Sequence, residues 1–529
     1  MHQFMPDISA ITGPPKLYGP DNRLLKPSSA YTYRRDAARR TGSLKNWNPR
    51  TVYGKQAEAL ERLDVVERSV DLSYNDPHAA GVIDSFATTV VGAGLVPHPT
   101  LDNDVLSLSK DEIRELQSAQ RAAWQSWIPF ADAGARMDFG QLQYLAKTCM
   151  LRYGEYFVLL PMIDDPDRPY SLACQVINPL RVKTPVDMLT NSDIRDGIEL
   201  GEYGQAEAVW IKKTSNSIMQ LPDISENFMR ICVKRGHRRN VLHGFVCKDP
   251  DQVRGWPFFA PAMKYFRDFN DLLNAELVSN VVTAALSYFI EVSGGADPYG
   301  VADNFMTNHQ STDRSDRYED VYPGQIMYGS AGEKPHLLSA QRPGTTFEPF
   351  TKTIKKSIAM ALNIPYPVLF KDVEGVNFAG FRSAMLDAWR VFLMERSWHG
   401  SGFCQPVYTM LQEEAYLRGN LPINNFYDHP FAYTLSEWRG APKGDIEPIK
   451  ARKADILAIS AGLKTRTAVI VEQGGGSFRS VMDTLEEEQE IIREKGLNLQ
   501  TDISLNDTED PDDTEELDDD DERTNINEN

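Results

Sequence analysis

No apolar run in this 529-residue chain is long enough to span a bilayer: the longest, residues 281–290, is about half of the ~20 residues required. The amino terminus, Met1-His-Gln-Phe-Met-Pro6, has no basic stretch followed by an apolar one, so no secretory signal is expected. Cysteine is scarce. Cys149, Cys174, Cys232, Cys247 and Cys404 are odd in number, widely spaced and without a CxxC pair, which reads as reduced, mostly buried thiols in a cytosolic protein. There is no GxxxxGKS/T loop, HExxH helix, GxSxG turn or EF-hand spacing. His237 and His243 lie six apart across an expected hairpin and are not read as a metal site, and Gly474-Gly-Gly476 reads as a helix stop rather than a phosphate cradle. A P-loop motor, a zinc hydrolase and a serine hydrolase are thereby excluded. The expectation is a protein with no enzymatic activity, no cofactor and no metal.

An excess of basic charge is also missing. The chain carries 56 Lys and Arg against 75 Asp and Glu, a formal net of -19. Residues 501–529 hold fourteen acids and one base, so -13 of that total belongs to a tail and about -6 to the remaining 500 residues. A tight, strongly basic nucleic-acid binder is ruled out on bulk charge, although a local basic patch is not.

The order of segments is informative. Residues 1–50, rich in Pro, Tyr and Arg, read as an extended arm, with Arg34, Arg35, Arg39 and Arg40 along it. Helical pattern fills 57–87, broken at Asn75-Asp-Pro77, and 90–97 reads as a short strand kinked by glycine. Ser109 and Glu112 form a capping box for a helix to Trp127, in which Trp124 and Trp127 share a core face. Strand-like runs at 156–160, 172–177, 208–211 and 241–247 complete a mixed α/β region.

Residues 258–291 contain no Gly and only Pro261, in the first turn, which predicts a continuous helix of roughly 50 Å. It suits a strut packed on copies of itself or a rod between domains. Residues 301–322 are polar and unpatterned, and 323–329 with 334–338 read as a hairpin. A second helix, 346–362, places Lys352, Lys355 and Lys356 on one face. A loop over 371–378 leads to a third helix, 379–398. Further helices at 405–418, 448–461, 466–473 and 478–495 each stop at a Gly. The acidic tail has too few apolar residues to bury and is expected to be disordered.

Several short pieces stand in order along the chain: Trp47-Asn-Pro49, Arg68-Ser69 leading to Asn75-Asp-Pro77, Val91-Gly-Ala-Gly94, Trp124-Gln-Ser-Trp127, Gly154-Glu155, Asn178-Pro-Leu-Arg181 and His243-Gly-Phe245. Asp251-Gln-Val-Arg-Gly-Trp-Pro257, Pro323-Gly324, Ile358-Ala-Met-Ala-Leu-Asn-Ile-Pro365, Asn377-Phe378, Arg382-Ser-Ala384 and Gln405-Pro-Val-Tyr408 follow. With a long helix out, a shorter helix back, a loop and a third helix, this order resembles the lambda-type portal proteins of tailed bacteriophages, over about residues 40–495.

The resemblance implies an α+β portal fold. Its parts would be an N-terminal arm (1–50), a mixed α/β wing (51–257), stem helices (258–291 and 346–362) and a small β-containing clip (292–345). A tunnel loop (363–378), a tunnel helix (379–404), wing and crown helices (405–498) and a disordered acidic tail (499–529) would complete it. It further implies a homo-oligomeric ring, typically of twelve subunits, at one vertex of the phage head. Double-stranded DNA would pass through it without sequence specificity. The implied partners are the terminase large subunit, a head–tail connector or adaptor, and the major capsid and scaffolding proteins, with no membrane. The implied location is the virion, after assembly in the host cytoplasm. Candidate channel residues are Val376, Asn377, Phe378 and Arg382, with Lys352, Lys355 and Lys356. The lysines read equally as a solvated face or as inter-subunit ion pairs, and Phe378 equally as a core residue. Asp313, Asp316, Glu319 and Asp320 are candidates for a motor- or connector-facing surface. The alternatives are a minor capsid or scaffolding protein without a channel, and a DNA-packaging enzyme. A near-neutral body suits a conduit, because each phosphate neutralised adds affinity and therefore drag.

Overall fold

A computed structural model describes residues 55–214, 222–290, 325–328, 347–444, 447–473 and 478–496. The chain divides into two units, Met1–Glu61 and Arg62–Asn529. The first contributes to the described residues only the opening turns of helix α1 (Lys55–Asn75). Everything below concerns the second. The arm, the acidic tail and the segment holding Asp313, Asp316, Glu319 and Asp320 lie outside the described residues.

Local chemistry sets the early helices. Asp76 ends α1 and caps α2 (Pro77–Val90) by accepting from the Ala79 amide at 2.8 Å, with Pro77 in the first turn. The 90–97 strand expected from the sequence is displaced. Val90 closes α2, and strand β1 is Val96–Pro99. Between them Gly92 and Gly94 hold φ of 60° and 120°, and a Cβ on Gly94 would stand 2.8 Å from the Gly140 backbone. The glycines therefore permit a close crossing rather than kink a strand.

Helix α3 (Lys110–Trp127) starts at the Ser109–Glu112 capping box that the sequence indicates. Helix α4 (Phe139–Tyr153), absent from the sequence reading, begins at a second box, Asp138 with Gln141. It leads into a three-stranded antiparallel sheet of β2 (Glu155–Leu159) between β3 (Gln175–Ile177) and β10 (Val241–Phe245). A four-stranded sheet is ordered β4 (Ile194–Arg195), β5 (Ile198–Leu200), β6 (Ala206–Lys212) and β7 (Phe228–Cys232). A small hairpin joins β8 (Lys234–Arg235) to β9 (Arg238–Arg239).

The long helix α5 spans Met263–Ala285, 23 residues. It is shorter than the expected 258–291 because β-prone Leu286–Ile290 forms strand β11, parallel to β12 (Gln325–Tyr328). Within the expected 323–338 hairpin, 325–328 is thus a strand, but its described partner is β11; 334–338 lies outside the described residues. Helices α6 (Phe347–Ala361), α7 (Phe378–His399) and α8 (Gln405–Leu417) fall close to expectation. A π-helical turn, Gly400–Cys404, joins the last two. Strand β13 (Ser436–Arg439) pairs with β1, and helices α9 (Pro448–Ser460), α10 (Arg466–Glu472) and α11 (Phe478–Lys495) follow.

Two main cores result. The first packs Trp124 and Trp127, as expected of them, with Phe139, Phe403 and Tyr408 from α4, the π-turn and α8. The Trp127 indole donates to the Leu172 carbonyl at 2.7 Å. The second packs α2 against the start of α5, the end of α6 and the middle of α7 through Phe86, Phe259, Phe266, Ile358 and Phe392. A third, smaller core joins the two larger sheets through Phe157, Ile198, Val209 and Val241. Cys149, Cys174 and Cys404 are buried and Cys232 and Cys247 are exposed, so most of the thiols are buried, as expected.

Candidate functional site

The residues leading into α5 are held by a buried ionic cluster. Glu155, the first residue of β2, has no exposed surface. Arg254 clamps it, with Nε 2.9 Å from both carboxylate oxygens and Nη2 2.6 Å from Oε1. Arg62 of α1 donates from 3.3 Å, His243 of β10 lies 2.9 Å away, and the Gly255 amide donates from 3.2 Å. Arg62 also pairs with Asp196 at 2.6 Å, and Arg254 donates to the Asp196 and Val182 carbonyls. Two guanidiniums thus face two carboxylates. Next to them, a Cβ on Gly154 would stand 2.3 Å from the Trp256 carbonyl carbon, so β2 and the 255–257 backbone touch directly.

Burial alone would raise the Glu155 carboxyl, but the Arg254 charge and the hydrogen bonds from His243 and Arg254 hold it well below the usual carboxylate range. His243, buried beside Arg254 and Arg62, is pushed down despite its bond to Glu155. His399, at the end of α7, is pushed down to about 3 by burial and the nearby Lys147.

Helix α5 runs on from this anchor, and α6 packs back against it. Phe266 and Phe269 of α5 are buried, but farther along Leu277, Val278 and Val281 are 63%, 61% and 56% exposed. On α6, Lys355 reaches back with its Nζ 5.7 Å from the Phe269 ring and 5.8 Å from the Phe370 ring. Lys352 sits 5.9 Å from the Tyr366 ring, and Lys356 is exposed. Two of the three lysines therefore face aromatic rings of α5 and the 366–370 segment. Tyr366 in turn donates to Asp372, which, with Lys352 and Lys355 also near, is held below its usual range.

Helix α7 is fixed at one end and open at the other. At its C-terminal end Arg396 donates to the Val90 and Thr89 carbonyls and to the Ala441 carbonyl, each at 3.0 Å. This places a cation on the carboxyl end of α2, where the helix dipole favours it. Glu395 pairs at 2.5 Å with Lys147, a fully buried lysine of α4. At the other end Asn377 caps α7 by accepting from the Gly380 amide at 2.8 Å. Val376 is half-buried, and Phe378 is 50% exposed, so the core reading of Phe378 does not hold in the single chain. Arg382 pairs with Glu447 at 3.5 Å.

The structure thus groups Val376, Asn377, Phe378 and Arg382 at one helix end. It sets Lys352 and Lys355 behind the loop that leads there. The sequence reading missed the Glu155 cluster, although Gly154-Glu155, His243 and Arg254 stood among the pieces that carry the family resemblance. Among the described residues, no group of three or more His, Cys, Asp or Glu could hold a metal ion. None of the described helices is long and apolar enough to cross a membrane.

The described residues thus present a buried anchor, a long helix leading away from it with a second helix packed back on it, and a third helix with one open end. The chain belongs to the lambda family of phage portal proteins, whose sequence profile it matches over residues 40–396, from ahead of α1 to the Arg396 anchor of α7. The family is structural, not enzymatic. A probable portal protein of Halomonas phage phiHAP-1 is 24% identical over 450 residues, 81% of this chain and 80% of that one. Among solved structures, the neck of an empty gene transfer agent particle computed with C6 symmetry has a chain that is 14% identical. It matches at a TM-score of 0.41 over 77% of this chain and 93% of that one. A chain in the neck of the native particle computed with C12 symmetry is 15% identical, with a TM-score of 0.36 over 77% and 93%.

Replacing Glu155 by Gln leaves two buried guanidiniums facing one carboxylate. The unfolding free energy is expected to fall by about 3–5 kcal/mol in urea titrations, and a loss under ~1 kcal/mol would contradict the cluster's role. Acid should act in the same direction. His243 and His399 have folded values below the ordinary 6.5, so their contribution is complete above pH 6.5 and fades as pH falls. Glu155, also depressed, adds a second loss below its ordinary 4.5. Thermal melts should therefore drop steadily from pH 7 to pH 5, and His399→Phe should flatten that slope; an unchanged slope would contradict the assignment.

Proposed function

We propose that this portal protein assembles into a closed homo-oligomeric ring, of the twelve subunits its family resemblance implies. The ring's central channel passes double-stranded DNA during packaging and ejection at one vertex of the phage head. In this reading 51–257 is the wing, α5 and α6 are the stem, and 292–345 is the clip. The segment before Phe378 is the tunnel loop, α7 is the tunnel helix, and the later helices belong to the wing and crown. The clip, with Asp313, Asp316, Glu319 and Asp320, docks the terminase large subunit and later the head–tail connector. The wing meets the major capsid and scaffolding proteins.

The observation that carries this reading is the outer half of α5. Leu277, Val278 and Val281 present an apolar stripe that stays more than half exposed in the single chain. Copies of the same helix in a ring would cover it. The open end of α7 supports the channel. Phe378 and Arg382 project there with a single ion pair to Glu447, and the weak charge of the body leaves DNA free to slide.

The double variant Leu277→Asp, Val281→Asp places like charges in the packed stem. Size-exclusion chromatography with light scattering should show rings for the natural chain and monomers or small species for the variant. Intact rings from the variant would refute the stem assignment.

A further inference from the structure

One exposed feature is unexplained by the ring. The hairpin β8–β9 sets Lys234 opposite Arg239 and Arg235 opposite Arg238, turning through Gly236 at φ 63°. Like charges directly opposite on an antiparallel pair are destabilising. Among the described residues no carboxylate forms an ion pair with any of the four. Neighbouring Arg230 is already matched by Glu199 at 2.8 Å, and Arg238 alone turns inward, to the Leu160 carbonyl at 3.0 Å. The strand pairing persists because flanking bonds enforce it: the Val233 amide donates to the Glu207 carbonyl and the Asn240 amide to the Val233 carbonyl. Three exposed cations, Lys234, Arg235 and Arg239, are therefore held together on one short frame.

The hairpin contributes Lys234 and Arg239 to the lining of a cavity of about 690 Å³, whose other walls include apolar Leu200, Val233, Val241 and Phe245 and the charged Arg230 and Glu207. A ligand that fits both parts is a polyanion with an isolated apolar residue. The chain carries such a segment. Residues 509–522 read Glu-Asp-Pro-Asp-Asp-Thr-Glu-Glu-Leu-Asp-Asp-Asp-Asp-Glu, eleven acids around Leu517. It follows the last described residue, Gly496, by a 12-residue tether that can span up to ~40 Å, about the width of a 200-residue domain.

We propose that the β8–β9 hairpin is the docking site of the acidic C-terminal segment 509–522. Its carboxylates lie over Lys234, Arg235 and Arg239, and Leu517 enters the cavity beside them. Tethering favours this occupant over free duplex DNA, because a linked segment acts at high effective concentration. DNA also offers no apolar side chain for the cavity. This inference stands independently of the ring.

The test uses the full chain and a full-length variant with Asp518, Asp519, Asp520 and Asp521 changed to Asn and Glu522 to Gln. Trypsin should cut after Lys234, Arg235 and Arg239 about five-fold faster in the variant than in the natural chain, since cleavage tracks the uncovered fraction. Raising salt should remove the protection in the natural chain. Carbodiimide cross-linking of the unmodified chain provides a measurement that needs no variant, and should join Lys234 to a peptide from 509–522. Equal cleavage of both chains with no such cross-link would overturn the proposal. Cleavage that slows only when duplex DNA is added would also overturn it and give the hairpin to nucleic acid.

Discussion

The segment that enters α5 is fixed at residues 254 and 255 by one buried carboxylate. Glu155 receives Arg254, Arg62, His243 and the Gly255 amide, and so joins α1, β2, β10 and the segment that opens onto α5. Burying charges is costly, and well-packed apolar residues could serve stability as well or better. The cluster supplies direction instead. An apolar core tolerates small rotations of a helix across it, whereas a bidentate Arg–carboxylate pair fixes both distance and plane.

The same economy of anchors recurs at α7. Arg396 and Glu395 tie its C-terminal end to α2 and α4, the π-turn carries the chain on into the first core, and the other end projects with Phe378 exposed. The molecule thus separates a rigid region, in which charges are buried and paired, from two helical elements whose apolar surfaces are unfinished in one chain.

Much of this was legible in the sequence, and the failures have physical causes. Capping pairs, glycine stops and the tryptophan pair are local signals, and they located α3, α8, α9, α10 and α11 within a residue or two. Helix α4 was invisible because it lies between cores. Phe139, Leu142, Gln143, Lys147, Cys149 and Leu151 are all buried, so no single apolar face repeats. The end of α5 was misread because an apolar run such as 286–290 fits helix and strand alike until its pairing partner is known. Nothing local marks Glu155, Arg62 or Lys147 as buried, since their partners lie far along the chain. The open end of α7 was found through the family resemblance, not through periodicity. The charge balance was legible as a total, but only the structure shows a basic hairpin within a near-neutral body.

The central claim is that the exposed sides of α5 and the open end of α7 are completed by copies of the same chain around a channel. Electron cryomicroscopy of the purified full-length protein tests it most directly. The account predicts closed rings in which Leu277, Val278 and Val281 are buried between neighbouring subunits and Val376, Asn377, Phe378 and Arg382 face the lumen. Rings with Phe378 turned into the wall, or particles with α5 still bare to solvent, would contradict it.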